Sequence, residues 1–291
     1  MAKKKSILDF QKMKKDGEIV AWLTAYDFFT AQFEERAGID MILVGDSLGM
    51  CVYGYSGTIP VTMDQCIVHS EAVRRGAPNT FVIGDMPFLS YQTTPEDAVR
   101  NAGRFYKEAG VDAIKLEGGR RVTRMIRAIV DSGMVACGHI GLTPQSTGQF
   151  GGYKAQGRTA KSAYEVIEDA RAVQEAGAAL LLLEAITPEV GKIITEELEI
   201  PVYSIGAGPY CDGQLLIVSD ILGIFEAFQP KFVKRYAYLA EESVRAIQEY
   251  VKEVREEKFP EEVHCYKMIE GEAEKLEKLM EQKNKSSPSC L

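Results

Sequence analysis

Short apolar runs in this 291-residue chain repeatedly stop on a polar or ionisable side chain. MILVG ends at Asp46, TFVIG at Asp85, AIKL at Glu117, VACG at His139 and LLLL at Glu184, while AWLT leads into Tyr26-Asp27. Runs of this length bounded by turn residues read as buried strands, and in a parallel barrel all strand C-termini open on the face that carries the chemistry. Asp46, Asp85 and Glu117 at one barrel mouth would repel one another unless neutralised, and a hard divalent cation does this best. Oxygen ligands select Mg²⁺ or Mn²⁺ over zinc, and the three histidines are dispersed, without HxH or HExxH spacing. A 2-oxo acid, offering keto and carboxylate oxygens, is a natural bidentate ligand for such a cation. Lys115 lies two residues before Glu117 and so on the same inward face, where it can hold a substrate carboxylate. Ser47, next to Asp46, can hydrogen-bond the same ligand. Glu184 sits on a different strand in a very apolar run, the setting that suits a carboxyl to general-base work. With a metal to stabilise the enolate by several kcal/mol, these groups point to making or breaking a carbon–carbon bond.

Each residue also has a plainer reading. An acid at a strand end is often a helix cap, and Lys115 alone could snorkel to the surface. His139 reads as a barrel-mouth histidine satisfied by hydrogen bonds, because a proton role for it has no evident partner. Gly206-Ala207-Gly208 lacks the rest of a phosphate-loop fingerprint and reads as a close-approach turn. Arg74-Arg75 reads as a pair of helix-dipole partners near a helix C-terminus.

The elements that must position these groups follow from an internal echo. Glu35-Arg36-Ala37-Gly38, Glu108-Ala109-Gly110 and Glu175-Ala176-Gly177 each precede a strand that ends on an acid. Each is a helix end with a glycine suited to the left-handed C′ position, so the chain repeats a β/α unit. Thr62 with Gln65 has capping-box spacing, Thr94-Pro95 opens a helix to about Glu108, and Thr187-Pro188 opens another. Strands are expected near 19–24, 41–45, 80–84, 113–117, 134–139, 179–184 and 201–206, with an eighth near 221–225. The fold class is therefore α/β, a single (β/α)8 TIM barrel of parallel strands over 1–266. A charged C-terminal helical tail, 267–291, is expected to be partly disordered. An open doubly wound sheet is the alternative, but it does not gather six strand ends around one point. Segments 47–61 and 141–159, glycine-rich with aromatic interruptions, are long enough to be lids.

A formal charge of −8 argues against a nucleic-acid partner. No run approaches a membrane span, and the basic start does not lead into a signal-peptide core. Six cysteines without CxxC spacing suit reduced thiols. A cytoplasmic enzyme acting on small molecules is the expectation.

At these residues the chain resembles a known family. LTAYD (23–27), VGDSLGM (44–50), VRRGAP (73–78), KLEGG (115–119), GHIGLTPQ (138–145) and IGAG (205–208) match, closely and in order, the ketopantoate hydroxymethyltransferases. The resemblance runs from about Ile19 to about His264, and the block from Gly138 to Gly157 is highly specific. It implies a (β/α)8 barrel assembled as a homo-oligomer, typically a homodecamer. It implies transfer of a hydroxymethyl group from 5,10-methylenetetrahydrofolate to 3-methyl-2-oxobutanoate, giving ketopantoate on the route to pantothenate and coenzyme A. The family's Mg²⁺ ligands fall on Asp46, Asp85 and Glu117, its keto-acid contacts on Asp46, Ser47, Asp85 and Lys115, and its base on Glu184. The chain departs from the family pattern at Pro209-Tyr210-Cys211, where an asparagine-led turn is common, and at Ser204, where glycine is usual. A phosphoenolpyruvate-mutase or isocitrate-lyase type barrel is the rival enzyme reading, and a catalytically silent scaffold barrel the rival outside enzymology.

Overall fold

The computed structural model describes residues 4–150, 152 and 154–286. The strands are β1 Val20–Thr24, β2 Met41–Val44, β3 Phe81–Asp85, β4 Ala113–Glu117, β5 Ala136–Gly141, β6 Leu180–Glu184, β7 Val202–Ile205 and β8 Gly213–Leu216. They close into one barrel in sequence order, every neighbouring pair parallel. The helices are α1 Ile7–Asp16, α2 Phe28–Ala37, α3 Leu48–Cys51, α4 Met63–Gly76, α5 Pro95–Arg104, α6 Thr123–Asp131, α7 Thr147–Phe150, α8 Ala160–Glu175, α9 Pro188–Glu197, α10 Val218–Ile221, α11 Leu239–Arg255 and α12 Glu272–Ser286.

Strand periodicity divides the core into two shells. One alternate set, including Trp22, Met41, Ile83, Cys137, Leu182 and Tyr203, fills the barrel interior. The other set, including Ile42, Val82, Ile114, Leu116, Leu181 and Leu183, packs outward under the helices. At the N-terminal end of the barrel α1 seals the interior: Phe10 is fully buried and meets Phe81 edge-to-face at 5.1 Å. Lys14 of the same helix donates to Asp212 at 2.8 Å. The opposite end is open.

The signals at the helix ends have the expected origin. Gly38, Gly110 and Gly177 all adopt positive φ, and the Thr62–Gln65 capping box is formed. The helix opened by Thr94 and Pro95 runs to Arg104 and continues as a π-helical turn, Phe105–Ala109. The eighth strand differs from expectation. It is Gly213–Leu216, whereas 221–225 is the end of α10 and a turn at Gly223, φ 63°, pressed against the Ala237 carbonyl. An apolar run marks burial, not conformation, and here a short buried helix has the same composition as a strand. Arg74 is more than a dipole partner: its guanidinium donates to the Gly110 and Thr80 carbonyls and pairs with Asp112 at 2.5 Å.

The chain forms two compact units, one ending at Tyr238 and the other beginning at Leu239. α11, the first helix of the second unit, buries none of its residues. The charged tail contains α12, and its last residues, 287–291, lie outside the described part. The 141–159 segment carries α7, and residues 151 and 153 within it also lie outside. No helix among the described residues is long and apolar enough to cross a membrane, and the five described cysteines are free thiols.

Candidate active site

Register builds the floor of the open end. Asp85 is the partner of Lys115 across β3–β4, and Glu117 is the partner of His139 across β4–β5. Because Lys115 and Glu117 share an inward face, four ionisable groups from three strands point into one space. Lys115 Nζ lies 2.9 Å from Asp85 Oδ1 and 3.7 Å from Glu117 Oε1. Asp46, just past β2, joins through its backbone N–H, which donates to Asp85 Oδ2 at 2.9 Å. Ser47 Oγ is 2.8 Å from the Tyr26 hydroxyl. Asp46, Ser47, Asp85, Lys115, Glu117, His139 and Glu184 all line one cavity of about 400 Å³ at this end of the barrel. Asp27, by contrast, is a helix cap: its carboxylate takes the Thr30 N–H at 2.9 Å.

The electrostatics of this floor are incomplete. Asp46, Asp85, Lys115 and Glu117 are each at most 4% exposed, and three carboxylates face one ammonium. Burial pushes Asp85 well above the usual carboxylate range against the pull of Lys115, and it pushes Asp46 and Glu117 up as well. Burial also works against the Lys115 ammonium, but Asp85, Glu117 and Asp46 outweigh it and hold its value above the ordinary lysine range. Asp85 Oδ1 and Glu117 Oε1 are buried and share one cation, the Lys115 ammonium at 2.9 and 3.7 Å. Buried carboxylate oxygens that share a single ammonium, with a surplus of negative charge, fit a hard divalent cation. Among the described residues no trio of His, Cys, Asp and Glu stands at ligating separation; Lys115 occupies the centre of the acids.

His139 does have partners. Its Nδ1 is 3.3 Å from Lys115 Nζ, and its Nε2 is 3.1 Å from Glu184 Oε2. Nδ1 also stands 3.4 Å from Glu117 Oε1, so the ring lies between the Lys115–Glu117 pair and Glu184. Burial and the Lys115 charge hold this imidazole below its ordinary value, against Glu184. Glu184 is the least buried of the acids, its side chain 16% exposed, so its setting is more open than the apolar run suggested. The residue after it, Ala185, has φ 47°, a strained conformation of the kind that gathers at functional sites.

Two residues escaped the sequence reading. The Gln145 side chain is 4% exposed and makes every hydrogen bond its amide can make. Nε2 donates to Asp46 Oδ2 and to the Met86 carbonyl, both at 2.9 Å, while Oε1 accepts from the Tyr91 hydroxyl at 2.8 Å and Gln92 Nε2 at 2.9 Å. Its backbone N–H donates to Glu117 Oε2 at 3.0 Å. Tyr91, fully buried, takes the Glu117 N–H at 3.0 Å. The one available signal was a glutamine in the loop directly after β5. Gly206 is the close-approach turn expected, with φ 75° and the Phe232 ring 2.4 Å from where a Cβ would stand.

The sequence model of the ketopantoate hydroxymethyltransferase family matches residues 4–262. The 3-methyl-2-oxobutanoate hydroxymethyltransferase of Alkaliphilus metalliredigens is 64% identical over 282 residues, covering 97% of this chain and 99% of that protein. The protein of the same name from Moorella thermoacetica is 52% identical over 257 residues, covering 88% and 96%. Among solved structures, a phosphonopyruvate hydrolase in complex with oxalate and Mg²⁺ superposes with a TM-score of 0.59 at 14% identity, covering 96% of each chain. A 2,3-dimethylmalate lyase superposes with a TM-score of 0.57 at 17% identity, covering 99% and 100%. At those identities the superpositions speak for the barrel alone. The family match over nearly the whole length decides the membership: the chain belongs to the ketopantoate hydroxymethyltransferase family, and it is an enzyme, a transferase.

Proposed function

We propose that this protein transfers a hydroxymethyl group from 5,10-methylenetetrahydrofolate to 3-methyl-2-oxobutanoate, giving ketopantoate for pantothenate and coenzyme A synthesis. The observation that carries the reading is the buried floor of Asp46, Asp85 and Glu117, whose three negative charges Lys115 alone does not balance. Asp46, Asp85 and Glu117 would hold Mg²⁺, which when bound supplies Lewis acidity at the keto oxygen. Lys115 and Ser47 orient the 2-oxo acid, the ammonium taking its carboxylate and the hydroxyl one of its oxygens. Glu184 takes the proton from C3, and His139 stands 3.1 Å from that carboxylate. The carbon nucleophile so formed bonds to the methylene carbon of the folate, and the oxygen of water bonds to the same carbon. Both C–N bonds of that carbon break, and the two folate nitrogens take one proton from water and the one held by Glu184. The products are the hydroxymethyl oxo acid and tetrahydrofolate. A lyase or mutase of the phosphoenolpyruvate-mutase type shares the barrel, but the relatives at 64% and 52% identity carry the hydroxymethyltransferase name.

Assembly as a homo-oligomer, a homodecamer by family resemblance, and a cytoplasmic location complete the proposal. Supporting the assembly, α11 exposes the apolar residues Val244, Ile247, Tyr250 and Val254. The deciding experiment is folate-dependent hydroxymethylation of 3-methyl-2-oxobutanoate with and without Mg²⁺, together with Glu184→Gln. That variant should lose C3-proton exchange into heavy water, by about 100-fold or more as befits a general base, while still binding the oxo acid. Exchange at the wild-type rate would take Glu184 out of the role.

A further inference from the structure

The cavity holds more than the oxo-acid floor uses. Its volume of about 400 Å³ is that of a site for a drug-sized ligand, well beyond a five-carbon acid. Apart from the strand-end acids it is lined by one more carboxyl, Asp220 of α10, and by Phe225, Phe228 and Phe232. Asp220 is only 7% exposed. Among the described residues nothing donates a hydrogen bond to its carboxyl, and no salt bridge closes on it. Arg235 faces it at longer range, pulling against the burial that pushes the carboxyl up to about 6. The carboxyl is therefore mostly ionised at neutral pH. The carboxylate faces the cavity with no donor from the described residues, so its oxygens are available to a ligand that brings donors. Beside it, Phe225 and Phe228 meet edge-to-face at 5.3 Å, and Phe228 and Phe232 are 48% and 37% exposed. Gly206 seats the Phe232 ring, since any Cβ there would strike it. The wall is thus partly fixed before a ligand arrives.

A carboxylate with two free oxygens beside aromatic faces suits a flat heteroaromatic ring with two parallel N–H donors on one edge, matched as a guanidinium matches a carboxylate. We propose that Asp220 and the Phe225, Phe228 and Phe232 wall form the seat for the heteroaromatic ring of the one-carbon carrier, with Asp220 reading its aminopyrimidinone edge. This rests on the folate reading given above, whose pterin presents such an edge. The arrangement divides the cavity by function: acids and lysine for the oxo acid, Asp220 and the phenylalanines for the carrier.

The test uses full-length protein, tetrahydrofolate without its one-carbon unit, and calorimetry. Asp220→Asn turns one acceptor into a donor facing a donor, so the Kd for tetrahydrofolate should rise roughly 10- to 100-fold. The KM for the folate should rise with it, while kcat at saturating folate and folate-independent C3-proton exchange stay within about twofold. A tetrahydrofolate analogue lacking the 2-amino group should bind wild-type protein more weakly than the parent does, and Asp220→Asn should not distinguish the two. Equal binding of tetrahydrofolate by wild type and variant overturns the proposal and leaves the folate reading standing. Wild-type protein that binds no tetrahydrofolate overturns both. If the variant loses exchange and so fails to fold, the analogue decides on wild-type protein alone: binding as tight as the parent's overturns the proposal.

Discussion

Gln145 controls more of the site than its distance in sequence suggests. Its side chain ties Asp46, its backbone ties Glu117, and its amide orientation is fixed by four partners. Groups that orient ligand carboxylates typically matter by 10- to 100-fold in metal affinity. Gln145→Leu keeps the bulk and removes the amide, and it should weaken Mn²⁺ binding by about that factor in a titration followed by electron paramagnetic resonance. Unchanged Mn²⁺ affinity would show that Asp46 and Glu117 hold their positions without it. At this scale the sequence was legible where strand parity fixes direction: Asp85, Lys115, Glu117 and Glu184 each end or nearly end a strand and all reach the cavity. Gln145 and Tyr91 were not legible, because they come from loops after β5 and β3 and reach the site only through chain reversals that periodicity does not describe. The partners of His139 needed the β4–β5 register, which sets Glu117 beside it.

Elements convert those residues into a site only if the helices press closely on the sheet. Gly84, directly before Asp85, is where the π-helical turn after α5 does so: a Cβ there would stand 2.5 Å from the Phe105 ring. That ring is fully buried and packed on several sides, so it has little room to give. Gly84→Ala should cost about 1–3 kcal/mol in urea unfolding by overpacking, and it should lower oxo-acid affinity because Asp85 moves with the strand. A variant with wild-type stability would mean that Phe105 turns aside freely. The repeated helix–glycine–strand unit was readable because three of its features coincide: a helix end, a residue at positive φ and an apolar run. β8 was not readable. Its four residues, Gly213–Leu216, begin with a glycine whose place is set by closure: a Cβ there would stand 2.4 Å from the Val20 carbonyl. Pairing with β1 and β7, not its own composition, makes it a strand.

For the molecule as a whole, the barrel followed from repeated units, but the unit boundary at Tyr238 did not. An amphipathic helix such as α11 has the same pattern whether its apolar face is covered by its own chain or by another. Burial also leaves a mark on global stability through Glu34 of α2. This side chain is 5% exposed, and neither carboxylate oxygen has a hydrogen bond. Burial, reinforced by Asp27, raises its carboxyl from 4.5 to about 9. The folded protein therefore keeps this proton up to about pH 9, whereas the unfolded chain gives it up near 4.5. Across that window the unfolded state binds fewer protons, so stability falls as pH rises, by on the order of 6 kcal/mol over the whole range. Glu34→Gln resembles the protonated acid but cannot ionise, and it should remove this slope. In urea unfolding at pH 5 through 9 the variant should match wild type at the acid end and exceed it by several kcal/mol at the alkaline end. Every other titrating group is common to both proteins, so the difference between the two curves isolates Glu34. Parallel curves would mean that the folded state ionises Glu34 near its ordinary value, with water or a partner subunit reaching a carboxyl that this chain by itself leaves without a donor.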